Sequence, residues 1–220
     1  MSVIKALEKD RIKHLFKTLR YALYVIVHPF DGFWDLTHEK KGSVGAANII
    51  VILMLLTTVW EMQFTSFLFI KVQWEYVNIL IVILGVIVPL VIWCIANWSL
   101  TTLMDGKGTL KNIYIGTAYA LTPFVVIRLP LIFLSNLVTL EEGAFYQYFS
   151  VFSVIWCGLL ILVAMMMIHD YSLGKAFFVS LITIVGMGVI VFLLLLFFSL
   201  VSDAIAYFIS LYKEIAFRFY

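Results

Sequence analysis

The chain has 220 residues, 64% of them hydrophobic and 13% charged, with a formal net charge of +2 and a mean hydropathy of +1.07. Soluble domains are about half apolar and about a quarter charged, so a single water-soluble core is excluded and lipid must solvate most of the chain. The two cysteines, Cys94 and Cys157, sit inside apolar runs with no CxxC or Cys/His spacing, so neither a disulfide framework nor a zinc site is suggested and both read as buried free thiols.

Residues 3–26 read as a helix. Ile4, Leu7, Ile12, Leu15, Leu19, Ala22, Leu23 and Ile26 share one face, and Lys9, Lys13, Lys17 and Arg20 gather on the opposite one. Such a basic amphipathic helix suits the headgroup layer, where anionic lipids attract it; docking on a partner or on the protein's own loops is the alternative. The charge density from Lys5 to Arg20 and the short apolar run that follows do not fit a cleavable signal.

The stretch HPFDGFWDLTHEKKGS, residues 28–43, follows. Pro29 is suited to open a short helix. On that helix Phe30, Phe33, Trp34 and Thr37 share one face and His28, Asp31, Asp35 and His38 another. Two His and two Asp could bind a divalent cation. Aromatics ahead of a span and followed by Lys40 and Lys41 fit an interfacial anchor or docking elbow better, and Gly32 weakens a rigid ligand geometry.

Five apolar stretches are long enough to cross a bilayer, near Val44–Trp60, Val77–Trp98, Ile113–Val138, Phe149–Ile168 and Ala176–Leu200. Helices satisfy their backbone hydrogen bonds within one segment, and the alternation of a membrane β-barrel is absent. Eight Lys and Arg precede Val44, and Lys107, Lys111 and Lys175 fall on the same side; Lys71, Lys213 and Arg218 fall on the other. The asymmetry predicts a cytoplasmic N-terminus and an external C-terminus. The tail VSDAIAYFISLYKEIAFRFY reads as a helix on the outer leaflet or docked on a partner, because Asp203, Lys213 and Glu214 oppose a sixth crossing.

Two intramembrane polar residues stand out. Arg128 lies about 23 Å along span three from Ile113. It is bracketed by Pro123 and Pro130, at one of which a kink or break is expected. Snorkelling, or pairing with Glu61, Glu75, Glu141 or Glu142, fits Arg128 better than lining a substrate path. Asn97 fits a hydrogen bond between helices. Asp105-Gly-Lys-Gly reads as a tight turn without the phosphate-loop pattern, His169-Asp170 as a solvated cap, and Gly186 and Gly188 as places for close packing or flexibility.

HPFDGFWDLTHEKKGS before span one, NWSLTTLMDGKGTLKN at the end of span two, AYALTPF in span three and IHDYSLGKAF between spans four and five occur in an order and spacing that resemble the Yip1 family, and within it the bacterial members. The resemblance implies five helices and a cytoplasmic N-terminus. Eukaryotic members are similar in span pattern and bind prenylated Rab GTPases. This chain has a shorter polar segment before span one and no Asp-Leu-Tyr-Gly-Pro motif, so the resemblance implies a fold rather than that partner.

The expectation is therefore an all-α, multi-pass protein of the cell membrane in three parts. Residues 1–43 form the cytoplasmic amphipathic helix and aromatic elbow, 44–200 the five-helix domain, and 201–220 the external tail helix. It is expected to be a non-catalytic scaffold or accessory subunit that binds membrane lipids and other membrane proteins, transporter subunits among them. No cofactor, metal or nucleic acid is expected to bind. A solute transporter or channel component centred on Arg128 and Asn97 is the alternative, and a membrane-shaping or trafficking factor a further one.

Overall fold

The computed structural model describes residues 2–69, 75, 77–139 and 141–219, with side chains from residue 15 to 218 within those ranges. Its elements are α1 (Ser2–Val27), α2 (Pro29–His38), α3 (Val44–Phe64), α4 (Ile79–Leu103), α5 (Leu110–Ala120), α6 (Thr122–Leu134), α7 (Gly143–His169) and α8 (Leu173–Phe219). Among the described residues there is no strand. Five helices are long and apolar enough to span a membrane: α3, α4, α5 with α6, α7 and α8. This is a multi-pass membrane protein.

The third span is central. Half of its most apolar window is buried, against 6% for α8. Its first half, α5, packs on α3, α4 and α7; its second half, α6, packs on α3 and α7; α8 lies against α4 and α7. The span changes identity at Leu121, two residues ahead of Pro123, which sits in the first turn of α6. Proline lacks the N–H that would continue the ladder, and the break falls there. Pro130 is accommodated inside α6, which runs on to Leu134, so the span does not end near Arg128.

Apolar surface gains little by leaving lipid for another helix, so contact depends on small residues that let backbones approach. Ala46, Ala47, Ala118, Ala120 and Ala164 are buried accordingly. At Gly116 an added Cβ would come within 2.5 Å of Ile168 Cδ1. At Gly186 the approach is looser, 3.0 Å to Leu100 Cδ1, and Gly188 faces open space. Both cysteines are free and buried.

α1 and α2 close one end of the bundle, the elbow end. α1 buries Thr18, Ala22 and Val25 against the bundle and leaves Phe16 and Leu23 exposed. Its inward face is thus turned from the all-apolar stripe expected, because the bundle supplies partners that the stripe alone does not reveal. The Tyr119 hydroxyl donates to the Thr18 carbonyl at 3.1 Å, and the Thr18 and Ser43 hydroxyls meet at 3.2 Å. Gly32 lets α2 cross α1 with Val25 Cα only 3.0 Å from where a Cβ would sit. Phe33 corrects the interfacial assignment: it is fully buried in the core, while Phe30 and Trp34 remain about half exposed.

The tail also differs from expectation. Residues 201–219 are helical, but they continue α8 without interruption instead of forming a separate helix. A helix of 47 residues is about 70 Å long, more than twice the hydrocarbon thickness of a bilayer.

Candidate functional site

Polar side chains gather at two levels of the bundle. At the elbow end the turn after α4 and the turn after α7 meet. Asp105 and Asp170 both take the left-handed conformation, with φ of 58° and 54°, a conformation that Asp tolerates better than most residues. Asp170 caps α7 and accepts from Lys107 Nζ at 2.9 Å. His38 of α2 lies 3.9 Å from the same carboxylate.

Behind this ion pair runs a buried hydrogen-bonded chain. The Gly108 backbone N–H donates to His169 Nδ1 at 3.2 Å, so the neutral imidazole carries its proton on Nε2. That nitrogen donates to Asn97 Oδ1 at 3.2 Å, and Asn97 Nδ2 donates to Thr183 Oγ1 at 3.2 Å. The chain ties α4, α7, α8 and the turn before α5 together. Gly106 and Gly108 are required by proximity: a Cβ on either would come within 2.7 Å of the His169 ring. Tyr171 stacks on His169 and donates to the Met104 carbonyl at 2.9 Å. Burial and then the Asp105 carboxylate hold its phenol above the usual range, which keeps it a donor.

His169 is therefore a correction to the solvated cap expected; it is 1% exposed. The signal was available in α7. Ser153, Cys157, Leu160, Ala164 and Ile168 recur at helical spacing as its inward stripe, and His169 follows Met165 by one turn. Asn97, fully buried, makes the helix-to-helix bond expected of it.

The elbow carries a smaller exposed cluster. Asp35 accepts from the Tyr21 hydroxyl at 2.6 Å and from Lys41 Nζ at 2.7 Å. Lys41, then Tyr21, hold the Asp35 carboxyl below its usual range, and Asp35 with Glu39 holds the Lys41 ammonium above its own. His28 and His38 do not join Asp31 and Asp35 in a ligand set; they stack on Tyr24 and Trp34. Among the described residues no group of three or more His, Cys, Asp or Glu could hold a metal ion.

The second level lies near the far end of the bundle. Arg128 of α6 is paired with Glu61 of α3, its Nη1 reaching both carboxylate oxygens, Oε2 at 2.6 Å. Its Nε donates to Ser153 Oγ at 3.3 Å, and its guanidinium lies 4.7 Å from the Phe124 ring centre. The Tyr146 hydroxyl donates to Glu61 at 3.4 Å. Of the four acidic candidates for Arg128, Glu61 is the partner. Lys17 and Arg20 are exposed on α1; the side chains of Lys9 and Lys13, and Lys71, lie outside the described residues.

Three of the four sequence motifs thus meet around one end of a five-span bundle, and the fourth, AYALTPF, carries the break in the middle of the third span. The family model described as the Yip1 domain matches residues 23–210. The chain belongs to the Yip1 family. The Yip1 match starts in α1, inside the packed half of that helix, and runs through α2 and all five spans into the extension of α8. No curated protein and no solved structure matches the chain. Within this Yip1 domain both polar levels join helices to helices. Their donors and acceptors are turned on one another.

Proposed function

We propose that the protein is a non-catalytic scaffold or accessory subunit of the cell membrane, with a cytoplasmic N-terminus and an external C-terminus, that binds another membrane protein. The supporting observation is the second half of α8. Every residue from Val191 to Ile215 is exposed, although Phe192, Leu195, Phe198, Ile205, Phe208 and Tyr212 are among them. Lipid accounts for the part within the hydrocarbon. It does not account for the remainder of a helix about 70 Å long, whose apolar side chains need a protein or the membrane surface to cover them. An accessory role also suits polar clusters spent on holding helices together. The transporter reading is the weaker one, because the Arg128 guanidinium faces Glu61 and Ser153 and is not free to meet a solute.

Gentle detergent extraction, affinity purification and mass spectrometry test the reading. A membrane protein should co-purify in fixed stoichiometry and be lost on Phe208→Arg while the five-span domain still folds. A chain that always purifies alone, or a partner indifferent to changes along α8, defeats the proposal.

A further inference from the structure

An apolar cavity of about 330 Å³ opens to the side of the bundle between α1, α3 and α6. Leu19 and Leu23 of α1, Ile50 and Leu53 of α3, and Val125 and Val126 of α6 form its walls, and Arg20 stands among them. Its size falls within the range of small-molecule pockets, about 300–1,000 Å³. Ile50 and Leu53 lie six and nine residues into α3, about 9 and 14 Å along its axis, so the slot reaches into the hydrocarbon layer. Arg20 is exposed and has a side chain long enough to carry its charge up towards the headgroups.

Among the described residues the charge has no counterpart. Arg20 has no hydrogen-bond or ion-pair partner among the described residues. Glu61, the one acidic residue of α3, is paired with Arg128, and the sequence places no Asp or Glu in residues 15–27 or 110–134, which supply the other walls of the slot. Lys17, one turn earlier on α1, lines a separate groove with Glu39, Lys40 and Lys41, so Arg20 is the cation of this slot. A membrane-facing apolar slot with an unneutralised guanidinium among its walls is complementary to one class of molecule: an acyl chain fills the slot, and an anionic headgroup meets the cation.

We infer that this groove is a specific seat for one anionic phospholipid. It lies on the flank of the bundle where α1 meets α3 and α6, and it differs from the general attraction of a basic helix to an anionic surface by demanding both a filled slot and a charge at Arg20. The inference rests on the membrane reading and not on a protein partner for α8, so the two can fail separately.

Native mass spectrometry of the purified full chain, loaded with phosphatidylglycerol or phosphatidylcholine, tests it. One phosphatidylglycerol should be retained at collision energies that strip phosphatidylcholine. Arg20→Gln should lower that retention about fivefold, the factor expected of one cation at an anionic lipid surface. Leu23→Trp, at a half-exposed position that fills the slot, should abolish it. Val126→Phe serves the same purpose should Leu23→Trp not fold. Addition of inorganic phosphate should leave the adduct in place, because phosphate has no chain for the slot. Equal retention of both lipids, or a phosphatidylglycerol adduct indifferent to Arg20→Gln and to either filling variant, overturns the proposal.

Discussion

Arg128 on the third span meets Glu61 on the first inside the bundle, with side chains only 17% and 11% exposed. Each charge is expensive at that depth without the other. The pair is therefore a structural tie whose two halves must be changed together.

Removing one partner strands the other charge. Arg128→Met or Glu61→Gln should each cost about 3 kcal/mol or more, the scale for breaking a buried ion pair. Arg128→Met with Glu61→Gln should recover most of that loss. Thermal unfolding of the purified protein in one detergent, run as a double-mutant cycle, measures the coupling. Additive losses would mean that the pair is not a pair.

The buried chain from Gly108 through His169 and Asn97 to Thr183 makes a prediction of smaller size. Hydrogen bonds between membrane helices average about 0.6 kcal/mol and reach about 1.7 kcal/mol. Asn97→Ala should leave His169 Nε2–H without its acceptor, and His169→Ala should leave the Asn97 carbonyl without its donor. Their coupling in a double-mutant cycle should fall in that range. A coupling near zero would break the chain at its middle link.

How much of this was legible beforehand depended on which residues carried the information. The five spans, the elbow and a break at either Pro123 or Pro130 follow from run length and proline chemistry; the structure has five such spans and puts the break by Pro123. The inward faces do not follow from apolar periodicity. In lipid an outward Leu and an inward Leu are equally comfortable, so a helix such as α3 declares its buried face through Ala46, Ala47, Thr57 and Glu61 instead. The same reason hides Phe33, which looks like an anchor by composition and is core by packing. The inward stripe of α7 signalled the burial of His169, but not its acceptor, because Asn97 lies 72 residues away. The uninterrupted α8 was hidden because Asp203, Lys213 and Glu214 signal an end to the membrane but not an end to the helix.

The elbow should respond to pH through Asp35. Lys41 and Tyr21 depress its carboxyl in the folded state, so the stabilisation is present above the unfolded value of about 3.9 and is lost as pH falls through the lower folded value. Lys41 is raised, and its contribution is present below its unfolded value of about 10.4 and lost as pH rises beyond it. Hydrogen exchange across residues 28–43 should therefore be slowest between about pH 4 and 10 after correction for intrinsic rates. Asp35→Asn should flatten the acid limb. An unchanged acid limb in that variant would assign the transition to another group.

The turn glycines can be separated from the helix glycines by one methyl group. At Gly108 an added Cβ would stand 2.5 Å from Ile168 Cγ2 and 2.6 Å from the His169 ring, on a residue whose N–H must still reach Nδ1. Ring and branched methyl cannot both withdraw without opening the hydrogen-bonded chain, so Gly108→Ala should cost about 1–3 kcal/mol, the usual range for overpacking. Gly188 lies in α8 with nothing within 4 Å of the same position. There the methyl meets no neighbour and the helix gains the propensity difference between Gly and Ala, up to about 1 kcal/mol. The two substitutions should thus move thermal unfolding in opposite directions. Equal effects would mean that the close approach of the two turns, and with it the tautomer assigned to His169, is not what Gly108 is there to permit.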